Sequence, residues 1–209
     1  KVGDRVAGCF AQGWTAGQPG QTILITSPNQ GNGKTTVATN LALSISQGEQ
    51  DVVLVDADLR RPAVHKALDM SKEPGLSDLL RNKADIEDVV RNWYGSDVKV
   101  VTAGNIPPNI TEVVGSKRIG SILADLRERF EIVIVDAPPL IIADSYNLAS
   151  RVDGVILVLE PGQTAEEQAR TIKEQLDRSS AHLLGIVFNK VSEHSANSYY
   201  DYQYRSLYS

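Results

Sequence analysis

The chain has 209 residues, 42% of them hydrophobic, and a formal net charge of −5. This size suits one globular domain with an ample core, or at most two small ones. The negative charge argues against a broad nucleic-acid surface, and no apolar stretch is long enough to cross a membrane. Cys9 is the only cysteine, so an internal disulfide is excluded and we expect a reducing compartment.

Residues 1–21 form a lead-in in which glycines interrupt every short apolar run, so we expect loose order there. The first predicted strand covers residues 22–26, and a helical pattern follows at residues 37–47. Between them lies the sequence Ser-Pro-Asn-Gln-Gly-Asn-Gly-Lys-Thr-Thr, residues 27–36. A strand, a glycine-containing loop, Gly-Lys-Thr and a helix are typical of a phosphate-binding loop.

This loop predicts a nucleotide site, because small residues turn backbone N–H groups inward and the helix N-terminus adds partial positive charge. Lys34 would reach the β- and γ-phosphates, and the Thr35 hydroxyl would complete a Mg²⁺ shell. Pro28 stands where the usual spacing has glycine, so the alternative is a Gly-Lys pair in an ordinary turn. The predicted nucleotide-binding residues in the loop are Gln30, Gly31, Asn32, Gly33, Lys34, Thr35 and Thr36.

Further along the chain, apolar runs without polar alternation predict parallel strands that are buried on both faces. These runs cover residues 52–55, 132–135 and 155–159, and two further strands are predicted at residues 98–101 and 183–189. Short helices are predicted within residues 69–95, another after a cap at Ser116, and a last one after a capping box that starts at Thr164. Strands that alternate with helices predict an α/β fold, a doubly wound, mostly parallel sheet with helices on both faces. We divide the chain into a lead-in (1–21), a P-loop domain (22–191) and a tail (192–209).

Three aspartates follow two of the predicted strands: Asp56 and Asp58 after one, and Asp136 after the other. The carboxyl ends of parallel strands are where ligands bind in this fold class. We therefore expect at least one of these carboxylates to hold Mg²⁺, directly or through water, and one to accept a proton from an attacking hydroxyl. The alternative for any single aspartate is a helix cap or a loop residue.

Other polar residues are less informative. Arg60 and Arg61 could stabilise charge on a transferring phosphoryl group, or form ion pairs with a neighbouring aspartate. The three histidines are scattered without metal-ligand spacing, and we expect surface or packing roles for His65, His182 and His194.

The tail holds five of the chain's seven tyrosines among serine, asparagine and glutamine. Such a segment cannot bury enough apolar area to offset its ordering entropy, so we expect it to be mobile and exposed. The tyrosines are Tyr199, Tyr200, Tyr202, Tyr204 and Tyr208.

Together these features resemble the bacterial tyrosine kinases, the ATP-dependent kinases tied to capsule and exopolysaccharide export. Residues 27–36, 53–62 and 133–139 are similar to the family's three Walker motifs, and the tail is similar to its C-terminal tyrosine cluster. Smaller matches in the family's order are Pro107-Pro108-Asn109 before Glu112, Phe130-Glu131, Asp144, Asp153-Gly154 and residues 185–189.

The resemblance implies ATP and Mg²⁺ as cofactors and a role for each matching residue. Lys34 would contact the phosphates, Thr35, Asp58 and Asp136 would serve the metal, and Asp56 would be the base on the incoming tyrosine. Asp58 and Arg60 would complete the catalytic set, and Asn189 would lie near the adenine. The five tail tyrosines would be the phosphoacceptors.

The resemblance also implies partners and a location. Neighbouring subunits in a homo-oligomeric ring would phosphorylate the tails, and phosphorylation would loosen the ring. A transmembrane activator segment of a polysaccharide co-polymerase, fused or separate, would act on the kinase, and a cognate tyrosine phosphatase would reverse it. The setting would be cytoplasmic, at the inner face of the plasma membrane. Residues 1–21 lack the E-x-x-R-x-x-R pattern that the family uses in ring contacts.

Two other interpretations remain open. One is a P-loop ATPase switch of the kind that positions septa or partitions plasmids. Those switches carry a second lysine near the loop start, where this chain has Asn29. The other is an assembly module in which ATP only sets the oligomeric state.

Overall fold

A single eight-stranded sheet organises the computed structural model, which describes residues 7–10, 20–106 and 108–191. The strand order across the sheet is β1-β8-β7-β2-β6-β3-β5-β4. The six inner strands are parallel, whereas β1 and β4 pair antiparallel at the two edges. The strands are β1 (Ala7–Phe10), β2 (Gln21–Thr26), β3 (Val52–Asp56), β4 (Arg91–Asn92), β5 (Lys99–Val101), β6 (Ile132–Asp136), β7 (Gly154–Leu159) and β8 (Leu183–Phe188).

Helices cover both faces of the sheet, which confirms the predicted doubly wound α/β fold. The helices are α1 (Lys34–Ser46), α2 (Val64–Ala67), α3 (Leu76–Leu80), α4 (Ile86–Val89), α5 (Ile110–Gly115), α6 (Lys117–Arg129), α7 (Asp144–Ala149) and α8 (Glu166–Arg178). Within the described ranges, no helix combines the length and the apolar character that a bilayer crossing requires.

Alternate residues of the same strands supply two separate cores. In β2, Leu24 packs with the helices from α3 onward, whereas Ile23 and Ile25 pack with α1 and α2 on the other face. A strand that is buried on both faces needs apolar residues at nearly every position, which explains the Ile, Leu and Val runs of β3, β6 and β7.

Several short elements are not evident in the sequence. The glycine-interrupted residues 7–10 form β1, whose four residues pair with β8, because an extended backbone can join a free sheet edge whatever its side chains are. Helices α2, α5 and α7 have only four to six residues, too few for a helical period to be recognised. The proposed domain boundaries remain predictions, and residues 1–6, 11–19 and the tail lie outside the described residues.

The two predicted caps do not act through their side chains. Ser116 occupies the N-cap position of α6, but its hydroxyl donates to the Val113 carbonyl, because α5 ends directly before it. The capping box at Thr164 is wrong. Helix α8 begins one residue later than predicted, with Ala165 at the N-cap, and the buried Thr164 hydroxyl has no hydrogen-bond partner among the described atoms.

Candidate active site

The loop between β2 and α1 is held in shape by glycine conformations and by a contact from the last strand. Gly31 and Gly33 have φ angles of 88° and 87°, in the left-handed region that favours glycine. The Asn189 side chain, directly after β8, donates to the Asn32 carbonyl over 3.0 Å. A Cβ on Gly33 would lie 1.9 Å from Asn189 Nδ2. Asn189, which the sequence predicts to lie near the adenine, therefore packs against the phosphate loop and stabilises its conformation.

The start of the loop is closed by internal hydrogen bonds. The Asn29 backbone N–H donates to Asn32 Oδ1 over 3.1 Å, and the Ser27 hydroxyl donates to the Asn29 carbonyl over 2.7 Å. Pro28, in the usual glycine position, is buried. The loop thus closes without that glycine. Gln30 and Thr36, two of the predicted nucleotide residues, are exposed.

Two of the predicted aspartates lie side by side, because β3 and β6 are parallel neighbours in register at Asp56 and Asp136. Asp58 follows two residues after Asp56 on the same side of the site. Lys34 Nζ lies 2.9 Å from Asp58 Oδ2 and 3.8 Å from Asp136 Oδ1. The Thr35 hydroxyl donates to Asp136 Oδ2 over 2.6 Å. The sheet therefore brings the Gly-Lys-Thr sequence and all three aspartates to one edge, as predicted.

Asp56 is fully buried and holds the start of α2. Its Oδ2 accepts hydrogen bonds from the backbone N–H groups of Ala63 and Val64 over 3.1 and 3.0 Å. Its Oδ1 accepts a longer bond, 3.3 Å, from the Asp58 backbone N–H. Asp56 thus anchors the segment that follows β3, in addition to whatever chemical role it has.

The site concentrates buried negative charge around one lysine. Burial, with Asp136 second, raises the pKa of Asp56 well above its ordinary value. Burial also raises the pKa of Asp136 to about 6, although Lys34 and the Thr35 hydroxyl act in the opposite direction. Burial lowers the pKa of Lys34, but Asp136 and Asp58 outweigh that effect and the net pKa is raised. Lys34 therefore stays charged, and the pocket favours the arrival of a further cation.

The two arginines after Asp58 have separate partners. Arg60 donates to Asp144 Oδ2 and to the Thr111 hydroxyl, each over 2.7 Å. The side chain of Arg61 donates to Gln30 in the phosphate loop, and its backbone N–H donates to Asp58 Oδ1 over 3.0 Å. The ion-pair alternative is thus observed for Arg60, which links α5 and α7 to the site.

Two of these contacts have no clear signal in the sequence. In the sequence, Asp144 is singled out only as one of the smaller matches to the family, and no motif includes Thr111. Both begin or lie in short helices that the sequence does not predict. Their partnership with Arg60 depends on which loops meet, which no local pattern encodes.

The donor set fits Mg²⁺ in company with phosphates. Asp136 Oδ1 is buried without a hydrogen-bond partner among the described residues, and the Thr35 hydroxyl lies against the same carboxylate. No group of three or more His, Cys, Asp or Glu in the described ranges could hold a metal alone. Mg²⁺ in phosphate sites uses one or two carboxylates together with phosphate oxygens and water, so a complete protein cage is not needed.

Comparison with protein families finds a match over most of the chain. The ParA family, described as NUBPL iron-transfer P-loop NTPase, matches residues 18–203. The phosphate loop and the aspartates described above all lie inside this match.

Two curated relatives are tyrosine-protein kinases. The chain is 38% identical to tyrosine-protein kinase YwqD of Bacillus subtilis (strain 168), over 86% of this chain and 77% of that protein. It is 30% identical to tyrosine-protein kinase etk of Escherichia coli (strain K12), over 85% of this chain but only 24% of that protein.

Solved structures agree with these matches. The kinase domain of VpsO aligns with a TM-score of 0.79 and 34% identity, covering 82% of this chain and 85% of that one. The kinase domain of Escherichia coli ETK aligns with a TM-score of 0.77 and 30% identity, covering 80% of this chain and 66% of that one. The septum site-determining protein MinD of Pyrococcus horikoshii, solved with Mg-ADP, gives 0.70 at 21% identity, covering 79% and 68%, which shows a shared fold alone.

Proposed function

Because this chain belongs to the bacterial tyrosine-protein kinases, within the ParA-type P-loop NTPases, we propose that it transfers the γ-phosphoryl group of ATP to tyrosine hydroxyls, those of its own tail first. The observation that carries the proposal is the position of Lys34 between Asp58 and Asp136, at the end of a glycine loop. The tail tyrosines themselves lie outside the described residues.

Phosphoryl transfer depends mainly on placement and charge. In our proposal, Lys34 exchanges its ion pairs for the β- and γ-phosphates, and the amides of residues 30–36 hold the same oxygens. Thr35, Asp58 and Asp136 would hold Mg²⁺, which when bound neutralises charge on the phosphates. Carboxylate and hydroxyl oxygens are ligands that suit a hard cation such as Mg²⁺.

We propose Asp56 as the base for the incoming tyrosine, through Oδ1. That oxygen has only one long hydrogen bond among the described residues, from the Asp58 backbone N–H, so it retains acceptor capacity. A carboxylate whose pKa is raised by burial is a stronger base near neutral pH than an exposed one. Arg60, which is held by Asp144 and Thr111, would support charge on the transferring group.

The proposal is tested by incubating the purified chain with Mg-ATP and an activator segment and mapping phosphosites by mass spectrometry. We expect phosphate on several of the five tail tyrosines. Lys34→Met should abolish it, because the variant loses the phosphate-binding cation. Labelling that survived this change would refute the assignment of the phosphate site.

A P-loop ATPase switch is the second candidate, favoured by the ParA family match. Against it, the position of the expected second lysine is Asn29, whose side chain accepts a 3.4 Å hydrogen bond from Gln168. ATP hydrolysis without any tail phosphate, with the activator present, would decide for the switch or for a nucleotide-controlled assembly module.

We further propose that the kinase regulates capsular or exopolysaccharide synthesis and export, at the inner face of the plasma membrane. Support comes from the family resemblance and from the partial match to the longer Escherichia coli relative. A transmembrane activator, a ring of subunits and a cognate tyrosine phosphatase complete this proposal. Adding the activator's cytoplasmic segment should raise the rate of tail phosphorylation; an unchanged rate would contradict the activator's role.

A further inference from the structure

An apolar groove of about 440 Å³ lies beside the phosphate loop, between α7 and α8. Its apolar lining, which we call the floor, includes Leu140 and Ile172, which are buried, and Ile141, a residue that is 76% exposed. One end reaches Pro28, the second residue of the loop. We call this surface the α7–α8 groove; the transfer site described above does not use it.

The groove is firmly connected to the loop. The Leu140 backbone N–H donates to the Ser27 carbonyl over 2.8 Å, and Gln168 of α8 donates to the Asn29 side chain. A ligand in the groove therefore contacts Pro28, two residues before the loop residues 30–36 that would hold the phosphates.

The rim of the groove is polar where the floor is apolar. The Tyr146 hydroxyl donates to Gln175, and the side chains of Glu167 and Gln168 also line the opening. An apolar floor with a hydrogen-bonding rim suits tyrosine, which buries a ring while its hydroxyl keeps a polar partner.

The segment beyond the described residues supplies such side chains, and it begins close by. Asn189 bonds the phosphate loop, and the last described residue is Val191. The 18 residues that follow can extend about 60 Å. They contain five tyrosines, a single leucine and, after Tyr199, Arg205 as the sole basic residue. The positive charge of Arg205 is complementary to the carboxylate of Glu167 on the rim.

We propose that the α7–α8 groove is the docking site for the tyrosine tail, residues 192–209, and directs its tyrosines to the phosphate loop. This rests on the proposed kinase function and assigns it a substrate-binding surface. Each phosphate adds about −1.5 to −2 charges beside Glu167, so the phosphorylated tail leaves the groove.

The first test measures binding of a fluorescein-labelled peptide of residues 192–209 to the full chain by fluorescence anisotropy. Ile141→Asp should weaken binding about tenfold, because it removes an aliphatic contact and places a charge on the floor. Since Ile141 is largely exposed, the substitution leaves the core intact, and circular dichroism checks this. Tyr94→Asp is the matched control, since Tyr94 is 99% exposed in the turn before β5, at the opposite end of the strands. It should leave binding unchanged.

The second test follows phosphorylation of the same peptide. Ile141→Asp should raise the KM for peptide about tenfold, with a much smaller fall in kcat. A peptide already phosphorylated on its tyrosines should bind the unchanged chain more weakly than the plain peptide.

Several results would overturn the groove. One is an Ile141→Asp variant with the peptide affinity and KM of the unchanged chain. Another is a loss of peptide affinity in Tyr94→Asp as large as that in Ile141→Asp. A third is tighter binding of the phosphorylated peptide than of the plain peptide. Weaker self-association of Ile141→Asp in sedimentation velocity, with peptide affinity intact, would instead assign the groove to the folded part of a second copy. If the peptide binds through Ile141 but is never phosphorylated, the groove stands and the proposed function fails. If it is phosphorylated with an unchanged KM in the variant, the function stands and the groove fails.

Discussion

At the scale of one residue, Asp136 is a site residue whose ionised form lowers the stability of the folded chain. It is fully buried, and one of its oxygens lacks a hydrogen bond among the described atoms. Its folded pKa of about 6 lies above the ordinary value of 3.8. The folded state therefore binds more protons than the unfolded state between these values, and its stability falls as pH rises through this window.

We predict that Asp136→Asn stabilises the metal-free chain at pH 7.5, because the amide needs no proton and still accepts from Thr35. A pKa that rises from 3.8 in the unfolded chain to about 6 in the folded chain corresponds to roughly 3 kcal/mol. The gain should shrink as pH falls toward 4, where the wild-type carboxyl is protonated. Urea unfolding in EDTA at pH 4.5, 6 and 7.5 measures the difference in the free energy of unfolding between Asp136→Asn and wild type. A variant that is less stable than wild type at pH 7.5 would contradict the prediction.

The sequence predicts these site residues but not their contacts. Lys34, Thr35 and the three aspartates are predictable because each stands at a fixed offset from an apolar strand or a glycine. The hydrogen bonds from Ala63 and Val64 to Asp56, and the pairing of Arg60 with Asp144, join segments that meet only in the folded chain. Whether Asp56 also acts as the base stays a prediction.

At the scale of the element, the phosphate loop depends on a residue far along the chain, since Asn189 fills the space that a Gly33 side chain would need. Gly31 has nearly the same φ angle, but nothing lies within 4 Å of the position that a Cβ would take there. Replacing each glycine in turn therefore distinguishes the cost of a left-handed backbone from the cost of a steric clash with Asn189.

We predict that Gly33→Ala costs more stability than Gly31→Ala. Each alanine loses about 1–2 kcal/mol in a left-handed conformation. Gly33→Ala also displaces Asn189 and breaks its bond to Asn32, which adds about 1 kcal/mol. Nucleotide affinity should fall in the same order. Denaturant unfolding and calorimetric nucleotide titration measure both. Adding Asn189→Ala should remove the extra cost, and equal losses in the two single variants would refute the collision.

Local patterns predict the long elements well and the short ones poorly. The inner strands are evident because burial on both faces demands unbroken apolar runs. Helix α8 is also expected, but its start is one residue off, since Thr164 and Glu167 satisfy a capping pattern that the backbone does not use. Two-residue β4 carries no pattern at all, and only its pairing with β5 defines it.

At the scale of the whole molecule, one continuous sheet joins the nucleotide site to both cores, so ligand binding should stabilise the domain as a unit. Mg-ATP at a hundred times its dissociation constant should add about 2.7 kcal/mol to the free energy of unfolding. Removing the metal with EDTA should reduce this gain, because the buried carboxylates then face the phosphates without a neutralising cation.

Thr35→Val separates the metal from the nucleotide in this measurement. The variant keeps Lys34 and the loop, so ATP alone should stabilise it about as much as it stabilises the unchanged chain. The additional gain from Mg²⁺ should be lost, because the hydroxyl next to Asp136 is gone. Thermal unfolding with ATP, with and without Mg²⁺, tests this. A full Mg²⁺ gain in Thr35→Val would exclude Thr35 as a ligand.

The two antiparallel edge strands have a consequence for how copies of the chain can meet. Strand β1 covers four residues of β8 on one side, and β4 covers part of β5 on the other. An open edge of a sheet is a template for intermolecular strand addition, and very short edge strands blunt it. Lateral growth of the sheet into a filament through these two edges is thereby discouraged.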